Sequence, residues 1–229
     1  YDIVSINIQS LVMKFVNVRT FSLYMMLFLT QLCFADSVTT PIESPDFDRW
    51  MYPFNGSAGD REVSATFSSI GGGYEIFDDR DGQILLGFIT PEEIPIGLGA
   101  SNYDIVEATL HISISNEGNV YDPTADTWES HLADSGVQDT DAGRPMELFG
   151  AAFRGGFNGW TFGETGPFPF GASRRERNAY PISCIDGYQI DVSNNVLDAF
   201  QSEPFAIGAN AKLTPGAIME TETVLSFEI

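Results

Sequence analysis

The sequence predicts an all-β protein, a β-sandwich of jelly-roll type with long acidic and Gly/Phe-rich loops. Three observations predict it. No apolar stripe of helical spacing runs for about ten residues or more after position 36. Short apolar runs of period two take its place. Gly, Pro, Asn and Asp punctuate those runs, with 22 Gly and 12 Pro in 229 residues. Many short strands joined by long polar connections are the pattern of two packed β layers. No internal repeat is present, which argues against propellers and solenoids.

The N-terminal part reads as an address. Residues 1–12 precede Met13 and read as translated sequence upstream of the start. From Met13, Lys14 and Arg19 give a short positive region, and residues 21–34 are almost wholly apolar and uncharged. That stretch is shorter than the roughly 20 residues a spanning helix needs. Cys33 and Ala35 put small residues at both recognition positions of a cleavage site. Residues 13–35 are therefore expected to be a secretory signal peptide, and the mature chain carries no membrane span. Residues 36–229 are expected to form a single β-sandwich domain that stops at Ile229 in what reads as mid-strand, either truncated there or without a sorting tail.

The expected strands follow in order. Trp50 and Tyr52 pin an edge strand near the mature N-terminus. Residues 65–70 form a strand ended by Gly71, Gly72 and Gly73, and residues 83–88 form the next. Residues 105–115 are the clearest. There Val106, Ala108, Leu110, Ile112 and Ile114 alternate with Glu107, Thr109, His111, Ser113 and Ser115, which predicts one face on a core and one toward water. Residues 146–153, 187–192 and 221–229 complete the set. Between 191 and 200 the spacing of Val192, Val196, Leu197 and Phe200 predicts one short helix capped by Ser193. Residues 116–143 form a long acidic loop region, and residues 155–177 a second one rich in Gly, Phe and Pro.

Charge narrows the function classes. The chain has 32 Asp+Glu against 11 Lys+Arg, a net charge of -21 and a pI near 4.1. Loss of Asp2, Lys14 and Arg19 with the leader leaves 31 acids against 9 bases, and Lys212 as the one remaining lysine. No basic face exists to release counterions from a phosphate backbone, so nucleic acid is excluded as a partner. Docking on anionic lipid is disfavoured for the same reason. Cys33 leaves with the leader, so Cys184 stands alone without an intramolecular disulfide and reads as an inert buried thiol.

Residues 76–112, IFDDRDGQILLGFITPEEIPIGLGASNYDIVEATLHI, resemble the strand–loop–strand signature of DNRLRE-type surface-protein domains. The strand 83–88, the pair Ile94-Pro95 and the segment 107–110 occupy its positions. Residues 187–200, GYQIDVSNNVLDAF, are similar to the element that follows in those domains. Segments 48–55, 77–83 (FDDRDGQ), 143–149 and 191–196 also resemble a group of exported bacterial proteins, many of which carry a PEP-CTERM-type sorting tail. The likeness covers most of residues 46–229. It implies a non-catalytic jelly-roll module on or outside the cell. The chain departs from the pattern in showing no Pro-Glu-Pro motif, apolar span and basic end before Ile229.

Candidate chemistry lies in the loops. Asp78, Asp79 and Asp81 stand within four residues beside Gly82, and such clustered hard oxygens suit calcium. The competing reading is a solvated face, or one neutralised by Arg80. Asp139 and Asp141, near Asp134, form a second oxygen-rich turn, and Asp122 with Asp126 a third. Each is open to Ca2+ or to ordinary Asp turn chemistry. His111 and His131 belong to no metal-binding motif, so zinc is disfavoured. Phe153, Phe157, Trp160, Phe162, Phe168 and Phe170 crowd one loop. Phe157, Trp160, Phe162 and Phe168 are the candidates for stacking on an extracellular glycan. Against that, the rings plug an open end of the sandwich. No nucleophile elbow, P-loop or dinucleotide fingerprint is present. Glu129 and Glu164 are the loop acids best placed for glycoside hydrolysis, with no motif behind them. The expectation is an exported, non-enzymatic module, extracellular, cell-surface or periplasmic, whose partner is a glycan or the cell-surface matrix. A glycoside hydrolase or lyase ranks last.

Overall fold

The structure is a computed structural model. It describes residues 4–17, 36–52, 63–66, 82–89, 94, 97, 103–132, 135–163, 166, 176–185 and 188–229. The described elements are almost all antiparallel strands, so the all-β expectation holds.

The longest ladders centre on β6 (Tyr103–Ile114), which lies between β14 (Val224–Glu228) and β1 (Val4–Asn17). β1 also pairs with β2 (Asp36–Ile42) and β4 (Ser64–Thr66). β1 joins residues 4–12, read from the sequence as lying upstream of the start, to residues 13–17, read as the beginning of the leader. The segment VSINIQSLVMKFVN is rich in the β-branched residues that fit a pleated surface. The apolar stretch 21–34 and the expected cleavage positions lie outside the described residues.

The later strands pair in a nested order. β6 takes β14, and inside it β7 (Asn119–Val120) takes β13 (Ile218–Met219). Further in, β8 (Glu147–Leu148) takes β12 (Ala206–Ile207). Innermost, β9 (Gly150–Phe153) takes β10 (Ala179–Ile185), which also takes β11 (Tyr188–Asp191). This is the pairing order of one long antiparallel hairpin.

β3 (Phe47–Met51) and β5 (Gln83–Gly87) form a two-stranded ribbon that separates two apolar clusters. Strand alternation sends Ile84 and Leu86 to the first cluster, with Leu110, Ile112, Ile114, Tyr121, Met219, Leu225 and Phe227. Leu85 turns to the second, with Phe47, Met51, Phe162 and Ala179. The ribbon requires glycine at 87. A Cβ there would stand 2.0 Å from the Phe47 ring, its register partner.

Two expectations are corrected. The outer half of β6 is not amphipathic: Thr109 and Ser113 are buried along with Ala108, Leu110, Ile112 and Ile114, because neighbouring segments cover both faces. His111 is satisfied there, with Nδ1 2.9 Å from Ser226 Oγ. Residues 193–199 form consecutive turns rather than a helix. Asp191 captures both the backbone N–H of Ser193 (2.9 Å) and its hydroxyl, an Asp-centred turn that outcompetes the helical start. The short helix lies instead at α1 (Gly159–Phe162), opened by a reciprocal cap between Asn158 and Thr161.

Candidate cation site

The connection between β7 and β8 folds back on itself and brings its two ends together. Its first end leaves the nested ladder at Tyr121, whose N–H donates to the Ala217 carbonyl and whose carbonyl accepts from the Gly216 N–H. Asp122 follows at once, and Asp126 four residues on. The loop then makes a 3₁₀ turn at Trp128–His131. Gln201 braces it, accepting from Trp128 N–H at 3.2 Å and donating to the Asp126 carbonyl at 3.1 Å. The returning end carries Asp139, Asp141, Gly143 and Arg144. Gly143 has φ of 110°, and a Cβ there would lie 3.0 Å from both Asp122 Cβ and the Val120 carbonyl. Glycine is therefore what allows the return end to lie on β7.

Asp122, Asp126 and Asp141 each present a carboxylate oxygen, all within 4.8 Å of one another. Thr124 joins two of them, its hydroxyl standing 2.6 Å from Asp122 Oδ1 and 2.7 Å from Asp141 Oδ2. The Thr124 N–H also donates to Asp122 Oδ1 at 2.9 Å. A hydroxyl has one proton, so it donates to only one of these carboxylates at a time. The other contact sets oxygen against oxygen. Arg144 Nη1 lies 2.5 Å from Asp126 Oδ2 and 3.1 Å from Asp139 Oδ2, and Arg144 also donates to the Ser130 hydroxyl and carbonyl. Asp122 is 4% exposed, and its Oδ2 is buried without a hydrogen-bond partner.

Charge acts on the site as this geometry dictates. Burial raises the Asp126 carboxyl above its ordinary value, against the hydrogen bond and charge of Arg144. The Thr124 hydroxyl, then Asp139, hold exposed Asp141 below its ordinary value. Nearby, burial first and the Asp126 charge second push Glu147 up to about 7. Burial first and Arg144 second pull His131 down to about 4.

The sequence treated Asp122 with Asp126, and Asp139 with Asp141, as separate turns. The fold merges them, with Asp139 serving as a partner of Arg144. Thr124 and Arg144 were missed, although the Asp-x-Thr spacing at 122–124 is a turn signal. Asp78, Asp79, Asp81, Asp134, Glu164 and Phe168 lie outside the described residues, as does the side chain of Cys184. Glu129 is half-buried in the 3₁₀ turn.

The aromatic loop divides. Phe162 is 0% exposed and packs against Phe153 (ring centroids 5.6 Å apart) and half-buried Phe157 (5.9 Å). Buried Arg49 from β3 lies 4.6 Å from the Phe162 ring centroid and donates to the carbonyls of Gly163 (3.3 Å) and Gly166. Trp160 is 64% exposed and touches Phe47 edge-on. Of the four glycan candidates, then, Phe162 and Phe157 belong to the core cluster and Trp160 faces solvent.

Comparisons with protein-family models, with curated proteins and with solved structures find no match.

Proposed function

We propose that the chain is an exported, non-enzymatic β-sandwich module of jelly-roll connectivity, with a structural or adhesive role at the cell surface or outside the cell. The nested pairing of β6–β14, β7–β13, β8–β12 and β9–β10 supports the jelly-roll reading. The observation that carries the structural role is the way the Gly/Phe-rich loop is anchored. Arg49 holds the described part of it, around Phe162 and Gly163, against β3, so that part acts as scaffold. A strongly acidic chain, short of lysine, suits a soluble exported surface. The leader reading supports export.

Export is tested by expressing the full coding sequence with a C-terminal tag in a bacterial host, fractionating the cells and sequencing the N-terminus of the product. The reading expects a chain beginning at Asp36 in the periplasmic or extracellular fraction. A full-length chain held in the cytoplasm contradicts it.

Trp160 favours a second reading, a carbohydrate-binding module. Its indole offers a broad face and an N–H at the solvent boundary, the pairing of surfaces that stacks on a sugar ring and bonds its hydroxyls. A glycan array tests it, and binding lost on Trp160→Ala would move this reading to first place.

A further inference from the structure

We infer that Asp122, Asp126 and Asp141, with Thr124, form a calcium site that pins the two ends of the β7–β8 loop together. The inference does not depend on export or adhesion.

Four features carry it. The first is the orphaned Asp122 Oδ2. A buried carboxylate oxygen without a partner is costly, and among the described residues Asp122 forms no ion pair. Arg144, the nearby cation, is spent on Asp126 and Asp139. A second positive charge is what Asp122 lacks.

The second is the span. Oxygens on opposite sides of Ca2+ stand about 4.6–5.2 Å apart, twice the usual ligand distance. The three carboxylate oxygens lie within 4.8 Å of one another. One Ca2+ can therefore touch all three at its usual ligand distance.

The third is Thr124. One of its two short carboxylate contacts lacks a proton, and a cation shared by Asp122 and Asp141 removes that repulsion while using the hydroxyl oxygen as a further ligand. The fourth is donor type and access. All the donors are hard oxygens, which select calcium over zinc or copper. Asp141 is exposed, so water can complete the six to eight ligands calcium takes.

The test is isothermal titration of the chelator-stripped full chain with CaCl2 and with MgCl2, on wild type, Asp122→Asn, Asp141→Asn and a surface control, Glu117→Gln. The inference expects one calcium site per chain, tighter for Ca2+ than for Mg2+. Affinity should fall at least about tenfold in each Asp variant, with the control unchanged, because ligand charge sets affinity in such sites. The melting temperature of wild type should rise by about 5–10 °C at a hundredfold excess over Kd. Asp141 is exposed, so Asp141→Asn decides the matter even if Asp122→Asn fails to fold. No calcium binding up to millimolar concentration overturns the inference. So does equal binding by wild type and the Asp141 variant, the mark of diffuse counterion uptake by an acidic chain. Equal or tighter Mg2+ binding overturns the choice of calcium.

Discussion

The hydroxyl of Thr124 meets the carboxylate of Asp141 at 2.7 Å, across 17 residues of chain. The same oxygen lies 2.6 Å from Asp122 Oδ1, so one small side chain joins the outgoing and returning ends of the loop. Thr124→Val keeps the shape and removes the hydroxyl. It should destabilise the protein by about 1–2 kcal/mol, since a hydrogen bond to a charged group is lost and two carboxylates are left facing one another. Urea denaturation measures this, and Thr124→Ser should restore most of the loss. Equal loss in both variants would mean that the methyl group, not the hydroxyl, matters.

Gly143 sets how closely those two ends approach. Gly143→Ala combines a φ of 110° with a Cβ about to touch Asp122 and Val120. The expected cost is about 1–3 kcal/mol. Calcium affinity should fall with it, because the returning end of the loop must lift off β7. An alanine variant as stable as wild type would show that this loop geometry is not required.

His131 and Glu147 give the stability opposite pH slopes when chelator is present. His131 is held near pKa 4 in the fold against 6.5 ordinarily, so the unfolded chain takes the proton first and stability rises with pH between those values. Glu147 is held near 7 against 4.5, so the folded chain keeps the proton. Its contribution is fully present below pH 4.5 and is lost as pH rises through 7. Glu147→Gln removes that loss. The stability of the variant relative to wild type should therefore climb between pH 4.5 and 7 and then level off, about 1–3 kcal/mol higher. Denaturation curves in EDTA across this range check it, and a difference that is flat with pH would contradict the raised pKa of half-buried Glu147.

Phe162 and Trp160, two residues apart, should separate cleanly. Phe162→Ala empties a fully buried site and should cost about 3–5 kcal/mol. Trp160→Ala should change stability by less than about 1 kcal/mol, since its ring is largely in water. Thermal melts of the two variants decide, and similar losses would place Trp160 in the core with Phe162.

The strands were the most legible part of the fold. Residues 83–88, 105–115, 187–192 and 221–229 announce themselves by period two, and the structure places β5, β6, β11 and β14 there with ends shifted by a few residues. The both-sided burial of Thr109 and Ser113 was not legible, because hydroxyls on an alternating strand look the same whether water or a covering segment faces them. The helix expected at 193–199 failed for a local reason: the Asp191 side chain reaches Ser193 first. The aromatic loop was half legible. Ring content showed that it mattered, but the burial of Phe162 depends on Arg49, Phe47, Met51 and Leu85, which lie far from it in the sequence. The acidic site was visible as separate Asp pairs. Their union depends on Gly143 and Thr124, which link segments 17 or more residues apart and leave no spacing signature in the sequence.

The most direct test is crystallographic. Crystals of chelator-treated protein, soaked in CaCl2, should show one strong anomalous difference peak bounded by Asp122, Asp126 and Asp141, with carboxylate oxygens at about 2.3–2.6 Å. A soaked crystal in which this space stays empty, with Asp122 Oδ2 bonded to water or to another side chain, would contradict the account.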